Sequence, residues 1–77
     1  MSSNVLVDFG HAVRKIRNER GISQEAFAAR CDLHRTYISD VELGKRNVSL
    51  ENIQKMADAL NLKMSDIFME VEKNEGI

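Results

Sequence analysis

The chain has 77 residues, with 11 Lys and Arg against 12 Asp and Glu and a net charge of −1, enough for one small domain near the lower limit at which an apolar core holds a fold without staples. Its single cysteine, Cys31, rules out an internal disulfide, and two histidines, His11 and His34, are too few for a zinc site of paired ligands. No apolar run approaches the roughly 20 residues that cross a bilayer, and MSSNVLVDFG lacks the basic start and long apolar stretch of a secretory signal, so a cytoplasmic protein with no membrane contact is expected.

Proline is absent, the β-branched residues do not alternate, and apolar residues recur at spacings of three and four, which predicts an all-α domain. A first helix is expected from Val5 to Arg20, with Leu6, Phe9, Val13 and Ile16 on its apolar stripe and Arg14, Lys15 and Arg17 off it; Gly21 supplies a left-handed stop. Ser23 suits the N-cap of a second helix, QEAFAARC, in which Phe27 is the main core residue and the alanines permit close approach of a neighbour. Asp32 tolerates the tight turn that follows. A third helix is expected from Arg35 to Leu43, with His34 near its cap, Leu33 in the turn ahead of it, Ile38 and Val41 buried, and Gly44 closing it. Ser49 caps a fourth, LENIQKMADAL, burying Leu50, Ile53, Ala57 and Leu60, with Asn61 as a left-handed terminator. Ser65 caps a fifth helix running to about Glu72, where Met64, Ile67, Phe68 and Val71 follow the amphipathic spacing, and KNEGI is expected to fray.

Charge is unevenly distributed. Residues 1 to 50 hold eight Lys and Arg against six Asp and Glu, whereas residues 51 to 77 hold three against six. The isoelectric point alone speaks against nucleic acid, but the front of the chain is mildly basic and its tail acidic.

Two short helices joined by a tight turn, with small residues at the crossing, form a helix-turn-helix unit. Gln24, Ala28, Leu33, Ile38 and Val41 resemble the pattern of the Xre/Cro family of DNA-binding domains, over residues 10 to 68 or so. That family has glycine most often where this chain has Asp32, a residue that also visits positive φ at modest cost. Within the family, HRTYIS followed by ELGKRNVSLENI is most similar to the controller proteins of restriction-modification systems, small dimeric regulators that time endonuclease expression. The resemblance implies a compact five-helix, lambda-repressor-like domain spanning residues 1–77.

It also implies a recognition helix whose first turns face base edges in the major groove. Once the buried stripe is removed, Arg35, Thr36, Tyr37 and Ser39 remain as base-contacting candidates. Arginine pairs with guanine O6 and N7, and threonine meets a thymine methyl or a phosphate. Periodicity alone explains Arg35 equally well as a solvated charge or a partner of Asp32, and the Tyr37 ring could lie against the domain as readily as against a DNA strand. Asp40 would repel phosphate and is expected to face away from the backbone or to accept from a cytosine amino group. Candidates for phosphate contact are Gln24 at the start of the second helix, Arg17 and Arg20 late in the first, and Lys45, Arg46 and Asn47 in the loop after the recognition helix. Glu25 would repel DNA, and one use for it is a contact with RNA polymerase.

No nucleophile, acid-base pair, metal site or glycine-rich phosphate loop is visible, so neither enzyme, cofactor nor small-molecule ligand is expected. Cys31 reads as a buried packing residue, and Met56, Met64 and Met69 as core or interface filler. One recognition helix reads too few base pairs to select a genomic site, so a homodimer on double-stranded DNA with two half-sites, about one turn (roughly 34 Å) apart, is expected. Residues 62–72 hold surplus apolar side chains for it, with Leu62, Met64, Ile67 and Phe68 as the expected interface. The function expected is a self-regulating transcriptional controller of a restriction-modification operon; the alternatives are a phage-type repressor, an antitoxin, or a protein-interaction module using the same fold.

Overall fold

The computed structural model describes residues 4–75, and nothing in it but helix and connecting loop: α1 Val5–Glu19, α2 Gln24–Cys31, α3 Arg35–Glu42, α4 Leu50–Ala59 and α5 Met64–Glu75. Helix α1 lies against α3 and α5, α2 against α3 and α4, and α4 against α5. All five surround one core, in which Val13, Phe27, Ile38, Val41, Met56, Leu60 and Ile67 are fully buried.

Local chemistry accounts for the ends of the elements. The Ser23 and Ser49 hydroxyls accept from the N–H groups of Ala26 and Asn52 at 3.0 and 3.1 Å, as side-chain N-caps do. Asn4 does the same for α1, accepting from Leu6 and Val7. Four turns use left-handed backbone, at Gly21, Asp32, Gly44 and Asn61, and all four lie where the sequence predicts a stop. Gly44 is required twice over, because a Cβ there would come within 2.7 Å of a Val7 side-chain carbon.

Three expectations are corrected. Helix α5 starts one residue before Ser65: Lys63 is its cap, and the Asp66 carboxylate accepts from the Lys63 N–H at 3.0 Å, the reciprocal half of a capping box. It also continues through Glu75 rather than fraying from Lys73; the end of that segment, residues 76 and 77, lies outside the described residues. Leu50 is 72% exposed rather than buried. It opens α4, and helical side chains lean toward the N-terminus, so it overhangs the core beyond any element that could cover it.

The centre of the fold holds a charged pair that periodicity missed. Arg17 on α1 and Glu42 at the end of α3 are both buried, at 8% and 3% exposure. Arg17 Nε and Nη2 donate to the two Glu42 carboxylate oxygens at 2.7 and 3.0 Å, and Arg17 Nη1 donates to the Ile22 carbonyl at 2.7 Å. Gln24 Nε2 donates to Glu42 Oε1 at 3.0 Å. Every buried side-chain nitrogen and oxygen among the described residues has a partner, which is what makes such a pair tolerable in a core. Beside it, α1 and α3 touch at Gly10, where a Cβ would lie 2.8 Å from the Glu42 carbonyl oxygen and closer still to that of Val41.

Removing one partner strands a buried charge. Glu42→Ala is expected to destabilise the domain by about 3–5 kcal/mol, read as a fall in the thermal midpoint, while replacing Arg17 and Glu42 together by apolar residues costs less than Glu42→Ala alone. Ala28 is buried between α2 and its neighbours, so Ala28→Leu should overpack that contact by about 1–3 kcal/mol. An unchanged midpoint for Ala28→Leu would place the helix crossing elsewhere.

Candidate nucleic-acid interface

Helix α3 is eight residues long and turns Ile38, Val41 and Glu42 inward. Arg35 and Thr36 are left exposed on its first turn, while Ser39 and Asp40 are half-buried farther along. His34 occupies the N-cap position without making a side-chain cap bond, so the first-turn N–H groups stay open to water or to an anion. Arg35 makes no ion pair with Asp32 among the described residues, whose salt bridges lie elsewhere.

Tyr37 is held more tightly than its neighbours. Its ring packs against the edge of the core, and its hydroxyl accepts from Asn52 Nδ2 on α4 at 3.0 Å. The Arg46 guanidinium sits over the ring, 5.4 Å from its centroid, within the range of a cation–π contact. Only the phenolic proton remains for a further partner, because the oxygen is already engaged. Tyr37 is therefore a half-buried strut beside the exposed pair Arg35 and Thr36, placed to donate at the margin of the helix rather than to reach a base edge freely.

The loop between α3 and α4 brings Lys45, Arg46 and Asn47 to the surface, all three exposed. Its path is set by Gly44 and by the Lys45 N–H, which donates to the Asp40 carbonyl at 2.9 Å. Arg46 Nε also donates to Asp40 Oδ2 at 3.4 Å. Gln24, the first residue of α2, gives one N–H to Glu42; its second N–H and its amide oxygen have no partner among the described residues. A phosphate bound there would be read by an amide already fixed in orientation.

Two arginines do not occupy the places expected of them. Arg17 is buried and fully engaged with Glu42 and the Ile22 carbonyl, so it braces the motif from behind and offers nothing to a phosphate. Arg20 remains exposed, yet its Nε donates to the Leu60 carbonyl at 2.9 Å, capping the end of α4. The sequence did contain a signal for the first. Arg17, expected off the apolar stripe of α1, lies four residues after Val13, and Glu42 lies four after Ile38, so each continues the buried face of its helix, and opposite charges at two such positions can pair in the core. Asp40 and Asn52, which hold Arg46 and Tyr37, carry no comparable signal.

Cys31 is buried, and burial pushes its thiol up to about 11, which leaves little thiolate for chemistry near neutral pH. No helix among the described residues is long and apolar enough to cross a membrane.

Comparison with known proteins agrees with this geometry. A helix-turn-helix family model matches residues 13–67. The chain is 52% identical over 68 residues to the control protein C.BamHI of Bacillus amyloliquefaciens, covering 87% of this chain and 84% of that one. It is 44% identical over 72 residues to the control protein C.MunI of a Mycoplasma species, covering 92% and 97%. The crystal structure of the restriction-modification controller protein C.AhdI from Aeromonas hydrophila superposes with a TM-score of 0.81 at 46% identity, over 82% of this chain and 96% of that one. These relatives are regulators rather than enzymes. A buried ion pair bracing two short helices, an exposed arginine and threonine on the second, and a basic loop after it thus coincide with a match over most of the chain: the protein belongs to the helix-turn-helix family of DNA-binding regulators and is most like the control proteins of restriction-modification systems.

Proposed function

We propose that this protein acts in the cytoplasm as a homodimer on a symmetric double-stranded operator and controls a restriction-modification operon that includes its own gene. The observation that carries the reading is the exposed first turn of α3. Arg35 and Thr36 project there from a helix whose opposite face is clamped by Ile38, Val41 and the Arg17–Glu42 pair. Rigid backing of this kind lets a two-donor contact to guanine discriminate bases, because the side chain is delivered in register. Lys45, Arg46 and Asn47 supply sequence-independent contacts to the phosphate strand beside it, and Gln24 anchors the start of α2. Glu25, exposed on the first turn of α2, is available to RNA polymerase when the protein is bound upstream of a promoter.

The dimer face is proposed at a different centre from the one expected. Ile67 is wholly buried in its own domain, and Leu62 and Met64 are half-covered by the core, so Ile67 offers no surface and the other two offer edges. Phe68 remains available at 36% exposure. Together with Val5, Leu6, Phe9, Asn47, Val48 and Ile53 it lines an open, mostly apolar hollow in which Val5 is 64% exposed, and Leu50, outside the hollow at the start of α4, is 72% exposed. Apolar surface of this extent on so small a domain suits an isologous contact. A dimer formed on this face would make occupancy respond steeply to protein concentration, as suits a gene under its own control.

Two experiments test this. Selection of random-sequence duplexes should yield a two-fold symmetric site; on it, Arg35→Ala should cost about 1–3 kcal/mol and relax preference at one base pair per half-site, whereas Arg46→Ala should weaken all sequences nearly equally and lower the salt slope by about one. Unaltered affinity and preference in Arg35→Ala would remove α3 as the reading helix. Sedimentation at micromolar concentration should show a dimeric wild type and a folded, monomeric Leu50→Asp, Phe68→Asp double variant; a monomeric wild type, or a folded variant that still dimerises, refutes the interface.

A further inference from the structure

An acidic side chain beside a proposed DNA-contacting loop is an electrostatic liability, since DNA is a polyanion and each carboxylate near it is repelled. Asp40 is such a residue. Its half-buried side chain lies on α3 and accepts from Arg46 Nε at 3.4 Å. The guanidinium held in this way rests over the Tyr37 ring, 5.4 Å from its centroid. That ring is itself fixed by the hydrogen bond from Asn52 Nδ2 to its hydroxyl at 3.0 Å.

Two α3 side chains, Asp40 and Tyr37, therefore hold a single loop cation, and Asn52 on α4 fixes the ring beneath it. The guanidinium is engaged only through Nε and one face, so the terminal Nη1 and Nη2 groups have no hydrogen-bond partner among the described residues. These two nitrogens form the fork that grips an anionic oxygen pair. An arginine on a loop without regular structure otherwise samples many rotamers, and ordering it on binding weakens the complex by about threefold to tenfold.

We propose that Asp40 is a positioning residue for DNA binding: with Tyr37 it holds Arg46 in place before DNA arrives, with the fork free for a phosphate of the backbone. This rests on the reading of Arg46 as a phosphate contact, and it assigns to the α3 carboxylate a favourable effect on binding a polyanion, opposite in sign to its charge.

That sign makes the test sharp. Affinity for the selected duplex is measured for wild type, Asp40→Ala, Arg46→Ala and the double variant, with thermal midpoints to confirm folding. Asp40→Ala is expected to weaken binding about threefold to tenfold when Arg46 is present, and to leave it unchanged or tighten it when Arg46 is alanine, where only repulsion is removed. The Arg46 Nε–H resonance of the free protein should be dispersed in wild type and collapse to the value of a solvated arginine in Asp40→Ala. Asp40→Asn keeps an acceptor without the charge and should fall between. An equal effect of Asp40→Ala in both backgrounds, of either sign, overturns the proposal, as does tightening that occurs only with Arg46 present, which would make the contact a restraint that DNA must break. If Arg46→Ala binds as wild type does, the phosphate-contact reading itself fails; if Arg46→Ala weakens binding but the cycle is uncoupled, only the role of Asp40 does.

Discussion

The geometry of this domain depends on a guanidinium and a carboxylate buried together where α1, α2 and α3 meet. Arg17 and Glu42 form two hydrogen bonds with each other, and each takes one more from its surroundings, at the Ile22 carbonyl and the Gln24 amide. A buried pair of this kind gives little net stability compared with an apolar replacement, but once present it admits few alternative arrangements, because any shift leaves a charge unpaired in the core. It therefore acts on orientation. The end of α3 is tied to α1 and the start of α2 is tied to α3, while Gly10 lets the α3 backbone sit directly on α1. The outer face of α3 is aimed by these constraints on its inner face.

That division explains how a chain with a net charge of −1 can serve as a DNA reader. Total charge matters less than where cations stand and whether they are free. Arg17 is spent internally and Arg20 caps α4, while Lys15 is paired with Glu70 at 2.8 Å on the α1–α5 surface, which holds the Glu70 carboxyl below its ordinary range. At α3 and the loop after it, Arg35 and Lys45 are exposed and make no ion pair among the described residues, and Arg46, held by Asp40 through Nε, keeps Nη1 and Nη2 open. The surplus acidic residues lie mostly after residue 50, on the side of the chain that builds α4 and α5.

The apolar surplus is distributed by the same logic of overhang. Helices α1 and α4 both begin beyond the edge of the core, so Val5 and Leu50 are uncovered, and the exposed edge of Phe68 lies near Phe9 with ring centroids 6.1 Å apart. Small domains cannot enclose every apolar side chain they carry. Here Val5 and Phe68 border one hollow, while Leu50 stands apart at the start of α4.

Much of this was legible in the chain. The starts of α2 and α4 at Ser23 and Ser49, and the ends of the first four helices at Gly21, Asp32, Gly44 and Asn61, follow from caps and left-handed stops, which are properties of a few adjacent residues; the Asn4 cap and the Lys63 start of α5 did not stand out in the same way. The residues of the helix-turn-helix, and the exposure of Arg35 and Thr36, follow from the same local pattern. What tertiary structure decided is the fate of side chains whose partners are distant in sequence. Arg17 meets Glu42 across 25 residues and Tyr37 meets Asn52 across 15, and no periodicity within one helix says which other helix will lie against it. Burial at helix ends is likewise a tertiary property: Leu50 and Ile67 both fit an amphipathic stripe, yet one is exposed and the other enclosed, because a stripe specifies direction around the helix axis but not whether a neighbour extends far enough to cover it.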